Sequence, residues 1–394
     1  MTATRIDNDT TRQASLHVAF ELGWTEWKVA FATTQEQKAR VRTLRARDLQ
    51  GLQQEIAKAK LRFGLAADAP VLSCYEAGRD GFWLHRYLTS VGVQNLIVDS
   101  SSIEVNRRKR RAKSDQLDAR KLLSMLLRHL GGEKRVWSVV RVPAAGAEDD
   151  RQWHRDLEEL KDERTGHTNR LKGLLASQGL DLLQVNDQFP DWLQKARSWD
   201  GLAVPPELQS RLLRLFQRWQ QVDRQVKDME NDRRKRIRRT ETPSMNKVRL
   251  LLGLRGLGLN GSWLLVFEFF AWRQFTSGKQ VGGAVGLTPT PYNSGDSKRE
   301  QGISKAGSRR MRRMMVELAW CWLRWQPDSA LTQWYRRRFH DGNNRARKIG
   351  VVAVARKLLI ALWKYLEQGE LPAGAQVVDW RTKLTSTAGK KAVA

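Results

Sequence analysis

Cysteine is nearly absent from this chain, occurring only as Cys74 and Cys321, with no second cysteine near either. A disulfide framework and a cysteine-based metal clip are therefore excluded, and a reducing cytoplasm is the expected compartment. The opening residues, Met1 to Ala14, are polar and lack the apolar core of a secretion signal. No run approaches the roughly 20 apolar residues needed to span a bilayer, so no membrane partner is expected. A nucleotide-binding loop of the Gly-Lys-Thr type is also missing, which points away from ATP as a cofactor. Acids are scarce: 42 Asp and Glu stand against 70 Lys and Arg, a formal charge of +28. An excess of that size asks for a polyanion, and nucleic acid is the expected partner. With 394 residues, 41% of them hydrophobic, the chain has enough apolar material for two or three folded domains.

The cations come in runs: Arg107, Arg108, Lys109, Arg110 and Arg111, then Arg233 to Arg239 with Lys235 inside, then Arg309, Arg310, Arg312 and Arg313, then Arg336 to Arg338. Several separate backbone-binding surfaces suit a long or branched ligand, although any one run is equally well a solvated helix face.

Hydrophobic periodicity divides the chain. Leu16 to Ala32 reads as strand, glycine-containing turn and strand. Pro70 to Tyr75 and Asn95 to Asp99 read as two more short strands with a helical segment between them. From Trp153 the period changes: Trp153, Leu157, Leu160, Arg164, His167, Leu171 and Leu174 alternate by four and three, a heptad seam with two polar interruptions. A second seam runs through Leu212, Leu215, Trp219, Val222, Val226 and Met229. Two such helices, separated by the stretch around Pro190 to Pro206, predict an antiparallel coiled-coil arm or an oligomerisation element. Leu254-Arg255-Gly256-Leu257-Gly258 has the pattern of a helix-hairpin-helix turn, or equally of a helix-ending glycine pair. Val281 to Gly302 reads as a Gly- and Pro-rich loop, Ser308 to Trp325 and Asn344 to Gln368 as helices, and the last two dozen residues as a tail. The expected class is α/β plus α, with an α/β domain over 1–145, a helical coiled-coil arm over 146–240 and a mainly helical domain over 241–394.

Phosphoryl transfer with a divalent ion needs converging carboxylates, because Mg²⁺ prefers oxygen ligands in near-octahedral geometry. Glu21 ends the first strand, and Glu76 follows the strand Val71 to Tyr75. Asp115 and Asp118, three apart, share one face of a helix that Ser114 is placed to cap. Each acid alone is more often a surface residue or a helix-start choice; together, in so basic a chain, they form a candidate metal site.

Tyr75-Glu76-Ala77-Gly78, Lys113-Ser114-Asp115-Gln116-Leu117-Asp118-Ala119-Arg120, and Asn169-Arg170-Leu171-Lys172 with Leu174-Leu175 come first in a series of motifs. Leu254 to Gly258, Gly286-Leu287-Thr288-Pro289, Tyr292-Asn293-Ser294-Gly295, and Ile303-Ser304-Lys305 with Gly307 and Arg309-Arg310 follow. In this order, over about residues 16 to 370, they resemble the DEDD transposases of insertion-sequence family 110. The resemblance implies an N-terminal Holliday-junction-resolvase-like, that is RNase H-like or RuvC-like, domain whose four acids bind Mg²⁺. They correspond here to Glu21, Glu76, Asp115 and Asp118. Glu21 departs from the family's usual aspartate, and its extra methylene shifts the carboxylate by about an ångström.

The resemblance further implies a nucleophilic serine at Ser294, with Ser297 and Ser304 as rivals. From the residues alone Ser294 reads first as a turn serine in a Gly-rich loop. Lys298, Arg299, Lys305, Arg309 and Arg310 are placed to stabilise phosphorane charge or hold backbone phosphates, as is the run Arg107 to Arg111. The implied reaction joins DNA through phosphoserine without ATP. Donor and target DNA would be paired by a noncoding bridge RNA, and homodimers or homotetramers would act in the bacterial cytoplasm. Two alternatives stay open: an Mg²⁺-dependent junction-resolving nuclease with a merely structural Ser294, and a noncatalytic RNA or DNA scaffold.

Overall fold

The computed structural model describes residues 14–103, 114–133, 136–294 and 297–385. Two units emerge, Met1–Val142 and Pro143–Ala394.

In the first unit, strand β1 (Leu16–Leu22) sends Leu16, Val18 and Phe20 to one face and Ala19 to the other, the period of two that a pleated strand imposes. A turn at Gly23 returns the chain as β2 (Glu26–Ala32), antiparallel to β1 in the register His17↔Ala32 to Leu22↔Trp27. Strand β3 (Arg40–Arg45) pairs antiparallel outside β2. Its sequence RVRTLR places Arg40 and Arg42 on one face and Arg45 on the other, a composition that protects a sheet edge and hides the strand from hydropathy. Helix α1 (Leu49–Arg62) starts where the Asp48 carboxylate accepts the Gly51 N–H at 2.8 Å. Strand β4 (Val71–Glu76) lies parallel to β1, and beyond helix α2 (Trp83–Ser90) strand β5 (Gln94–Val98) lies parallel to β4. The sheet order is β3-β2-β1-β4-β5.

The two faces of this sheet differ in bulk. Phe20, Trp27, Phe31 and Tyr75 pack with Leu52 of α1 and Leu84 and Leu88 of α2. The opposite face is made of Ala19, Ala30, Ala32, Cys74 and Val98, and small residues let helix α3 (Asp115–Leu130) lie close, through Ala119, Leu122, Leu123 and Leu126. The Cys74 thiol is buried there, 3.8 Å from the Leu122 carbonyl, and burial pushes its pKa up.

The second unit opens with α4 (Ala145–Ala176), α5 (Phe189–Lys195) and α6 (Pro206–Arg239). The two heptad seams face each other and run antiparallel: Lys161 pairs with Glu230 at 2.6 Å, Arg164 with Asp223 at 2.8 Å, and the Trp219 indole donates to the Thr168 hydroxyl at 3.0 Å. Arg164, a polar interruption in the sequence pattern, is thus matched by an acid on the facing helix. Leu157 packs with Val222 and Val226, and Leu171 and Leu175 pack with Leu212, Leu215 and Phe216.

Helices α7 (Pro243–Leu252) and α8 (Leu259–Leu264) follow, and α8 runs without a break into a π-helical segment, Leu265–Phe270. Then come α9 (Gly278–Ala284), strands β6 (Pro289–Ser294) and β7 (Ser297–Ile303), and helices α10 (Arg309–Trp325), α11 (Ala330–Phe339), α12 (Asn344–Gln368) and α13 (Trp380–Thr385). Trp263, Leu265, Phe269, Met315, Trp322, Leu358 and Leu359 centre the core of this part. Among the described residues no helix is long and apolar enough to cross a membrane.

Two expectations need correction. Val281 to Gly302 is not one loop, since α9 takes its start and the strands Pro289–Ser294 and Ser297–Ile303 pair antiparallel further on. Pro289 and Pro291 and a run of polar residues disguise the strand period. Part of the expected tail also folds back, as α13. Its Lys383 ammonium donates to the carbonyls of Leu252, Leu254 and Leu257 at 2.6, 2.7 and 2.9 Å, holding the turn between α7 and α8, while burial pushes its pKa down to about 8.

Replacing Leu126, fully buried between α3 and the sheet, by alanine should cost about 2–5 kcal/mol in urea unfolding, the usual range for a core cavity of this size. An unchanged midpoint would mean that α3 does not dock as described.

Candidate active site

Glu21 is the sixth residue of β1 and Glu76 the last of β4. Their strands are parallel, and the last registered pair is Phe20↔Tyr75, so the two glutamates come next on neighbouring strands about 4.8 Å apart. Alternation puts both on the face of Ala19 and Cys74, the face that α3 covers. Glu21 is half-buried and sits in register with Lys28 of β2, whereas Glu76 is exposed. Hydrogen bonds hold the chain just beyond these strand ends. The Ala77 N–H donates to the Val98 carbonyl at 2.8 Å, and the Ser100 hydroxyl donates to the Ala77 carbonyl at 2.7 Å. Asp99, an acid that pattern reading took only for a strand end, reaches the same edge of the sheet at the end of β5.

The second acid pair starts α3. Ser114 caps the helix by accepting the Leu117 N–H at 3.4 Å, and Asp115 and Asp118 fill its first turn. Asp115 is exposed and Asp118 half-buried, one turn ahead of the Leu122 carbonyl that meets Cys74. The four acids therefore form two pairs. Among the described residues no three Asp, Glu, His or Cys side chains stand together as a ready group for a metal ion. The donor set, carboxylate oxygen throughout, is the kind a hard divalent cation takes. The run Arg107 to Arg111 lies outside the described residues.

Ser294 closes β6 and pairs with Ser297, the first residue of β7; Asn293 pairs with Lys298, and Tyr292 with Arg299. Gly295 lies outside the described residues. The base of this hairpin is locked by a crossing of two backbone segments. The Ser304 N–H donates to the Thr288 carbonyl at 2.9 Å, and the Lys305 N–H to the Gly286 carbonyl at 3.1 Å. Gly286 has a φ of +67°, and a Cβ there would stand 2.1 Å from the Ala306 carbonyl oxygen. At Gly307, with a φ of +86°, it would stand 2.3 Å from that of Ala284. Only glycine lets the two segments pass. Arg312 of α10 ties them together, one guanidinium nitrogen donating at 3.0 Å to the carbonyls of both Val285 and Lys305. The motifs Gly286–Pro289 and Ile303–Gly307 are thus two halves of one clamp. The rival serines separate: Ser294 and Ser297 lie at the far end of the hairpin, Ser304 at its clamped base.

The model of the transposase IS116/IS110/IS902 family matches residues 248–335, which contain the clamp and the hairpin. Over 386 residues the chain is 35% identical to a protein of Sinorhizobium fredii named as a transposase, y4rJ, an alignment covering 95% of this chain and 96% of that one. The chain belongs to this family of transposases. It is also 26% identical over 220 residues to the transposase for insertion sequence element IS1328 of Yersinia enterocolitica, covering 55% of this chain and 62% of that one. A second Sinorhizobium fredii protein named as a transposase, y4qE, is 27% identical over 270 residues, 68% of this chain and 62% of its own length.

Between the matched stretch and α4 the transposase holds a polar cluster that the sequence pattern did not reveal. Glu268 lies in the π-helical segment, nearly buried among phenylalanines, and accepts from Arg155 at 2.8 and 3.1 Å and from Arg310 at 3.2 Å. Arg310 also pairs with Glu158 at 2.8 Å, and His154 stands 3.3 Å from that carboxylate. Burial opposes the charge of Glu268, but hydrogen bonds from Arg155 and the positive charges of Arg155, Arg151 and Arg310 outweigh it and hold its carboxyl below the ordinary glutamate range. Arg151 and Arg273 both stack on Trp272, at 5.1 and 4.2 Å, and burial pushes Arg273 down to about 10. Of the cations expected to face nucleic acid, Lys305 and Arg309 are exposed, while Arg310 joins α10 to α4 and the π-helical segment. The signal for the cluster was the single acid in the apolar run Leu265–Phe270, a position tolerated only with a charged partner.

Because the folded pKa of Glu268 lies below its ordinary 4.5, its contribution to stability is present above that value and lost as pH falls through the folded one. Glu268→Gln should therefore cost about 3 kcal/mol at about pH 7, with Arg155 and Arg310 left facing a neutral group, and progressively less as pH falls below the ordinary glutamate value of 4.5. Urea midpoints of the two proteins across that range measure it; parallel curves would rule out the assigned charge.

Proposed function

We propose that this transposase cuts and rejoins donor and target DNA through a phosphoserine intermediate on Ser294, under the direction of a noncoding bridge RNA and with Mg²⁺ assistance, in the cytoplasm. The observation that carries the reading is the clamped hairpin: a segment matching the transposase family presents Ser294 at the end of two short strands whose base is immobilised by Gly286, Gly307 and Arg312. A nucleophile gains most from such positioning when it must meet a phosphorus atom in line. The sheet order β3-β2-β1-β4-β5, antiparallel on one side of β1 and parallel on the other, supports an RNase H-like, RuvC-like reading of the first unit.

In the first step the Ser294 hydroxyl oxygen attacks the phosphorus of a DNA phosphodiester. A P–Oγ bond forms, one P–O bond to the departing strand breaks, and the serine proton is exchanged for one on the new strand hydroxyl. In the second step the hydroxyl of the exchanged strand attacks the phosphoserine, re-forming a phosphodiester and freeing Ser294. One ester replaces another at each step, so no ATP is consumed. Lys305 and Arg309, exposed beside the clamp, and Lys298 and Arg299 on β7 are the cations assigned to the strand's phosphate charge. Glu21, Glu76, Asp115 and Asp118 are the residues that would hold the metal, which when bound polarises the phosphate. The α4–α6 pair is assigned to assembly of a homodimer or homotetramer. Arg107, Arg108, Lys109, Arg110 and Arg111 are assigned to nucleic-acid backbone.

Incubation with end-labelled insertion-sequence DNA and its RNA should give a covalent protein–DNA adduct that survives denaturation. Ser294→Ala should abolish it and lower strand exchange at least about 10³-fold, as removal of a nucleophile does, with nucleic-acid binding retained. Ser297→Ala and Ser304→Ala should retain the adduct. Cleavage by wild type without any adduct would replace this reading with hydrolysis by the same carboxylates. Asp115→Asn and Asp118→Asn should each remove strand exchange while leaving binding intact, and full activity in either would support a noncatalytic scaffold instead.

A further inference from the structure

In the first unit Phe20, Trp27, Phe31 and Tyr75 are at most 1% exposed, and Phe63, Phe82, Trp83 and Tyr87 are half-buried. Trp24 is the exception. It lies in the turn between β1 and β2, three residues past Glu21, with 66% of its surface open. Two guanidinium groups stand over its ring, Arg47 at 5.2 Å and Arg79 at 4.8 Å. Arg79 lies three residues past Glu76. Arg47 follows β3, whose end is fastened to the same turn by the Ala46 N–H donating to the Thr25 carbonyl at 2.8 Å. Three separate chain segments thus converge on one indole at the edge where β1 and β4 end.

The convergence is held in place. The Asp80 side chain, only 7% exposed, accepts from Arg79 at 2.7 Å and stands 3.8 Å from Arg47. One carboxylate against two guanidiniums leaves net positive charge beside an open aromatic surface. Arg47 also adopts a left-handed φ of +67°, a conformation that a non-glycine residue keeps only where its surroundings demand it. An exposed indole layered with guanidinium planes offers a stacking surface to any base, and the surplus cation offers a partner to the phosphate beside it. Paired duplex cannot use such a surface, because its base faces are already stacked.

We propose that Trp24, Arg47 and Arg79 form a platform for an unpaired nucleotide of the DNA strand being cut, its base stacked on the indole–guanidinium layer and its phosphate taken by the two arginines. The occupant is DNA rather than guide RNA because the platform adjoins Glu21 and Glu76; this rests on the assignment of those acids to DNA cleavage. A nucleotide seated there positions its neighbouring phosphate toward the acids, so Trp24 is a positioning residue.

The test uses the full-length protein and a DNA duplex carrying one unpaired 5-iododeoxyuridine, irradiated and mapped by mass spectrometry. The peptide containing Trp24 should carry the label. Trp24→Ala should lower its yield at least about tenfold, Trp24→Phe should retain it, and Arg47→Ala with Arg79→Ala should lower it about tenfold. The same base within a fully paired duplex should not label this peptide. No label at Trp24, equal labelling by paired duplex, or labelling by an RNA probe alone would overturn the proposal. Since Trp24 is exposed, the alanine variant should melt with wild type, which separates lost contact from lost fold. Asp115→Asn with Asp118→Asn keeps the platform intact. Labelled Trp24 with strand exchange indifferent to these acids overturns the cleavage reading alone, whereas unlabelled Trp24 with acid-dependent exchange overturns the platform alone.

Discussion

With 70 cationic side chains and 42 acids, mutual repulsion of positive charge is the constraint the fold has to satisfy. It does so by giving each sheltered carboxylate more than one partner. Glu55 serves Arg40, Arg42 and Lys58; Asp80 serves Arg47 and Arg79; Asp223 serves Arg164 and Lys227; Glu268 serves Arg155 and Arg310. All four acids have side chains no more than about 14% exposed. A carboxylate in low dielectric interacts more strongly with each cation than one in water, so shared burial lets one negative charge hold two or three positive ones. Losing one such acid strands several cations at once.

The acids at the strand and helix ends are deployed differently. Glu76 and Asp115 are exposed, and Glu21 and Asp118 are only half covered. In a chain short of negative charge, Glu76 and Asp115 stand open to solvent at a sheet edge and a helix start rather than sheltered between elements. Charge balance and the candidate chemistry thus draw on the same scarce residue type, and the structure sorts them by depth.

How much of this was legible beforehand follows from what periodicity encodes. Strands β1, β2, β4 and β5 announce themselves through buried residues, and α4 and α6 through their seams. Strand β3 does not, because arginines occupy its faces, and β6 and β7 do not, because prolines and polar side chains break the alternation. The Asp115–Asp118 pair is local and visible as a spacing of three. The adjacency of Glu21 and Glu76 is not, since it depends on β4 choosing β1 as its parallel neighbour. Likewise the interrupted seam shows that Arg164 needs a partner, but only the antiparallel register of α6 names Asp223. Glu268 and Arg312 act through contacts between segments far apart in sequence, which no local pattern records.

The π-helical segment also sets where Glu268 points from its helix. There the Ala271 N–H reaches back five residues to the Val266 carbonyl, a turn that holds one residue more than an α-turn. Removing a single residue would convert it to ordinary helix and swing everything downstream by about 100°. Glu268 would then leave Arg155 and Arg310 with no change in amino-acid type at any of the three positions. Helix length in this stretch is therefore under the same constraint as side-chain chemistry.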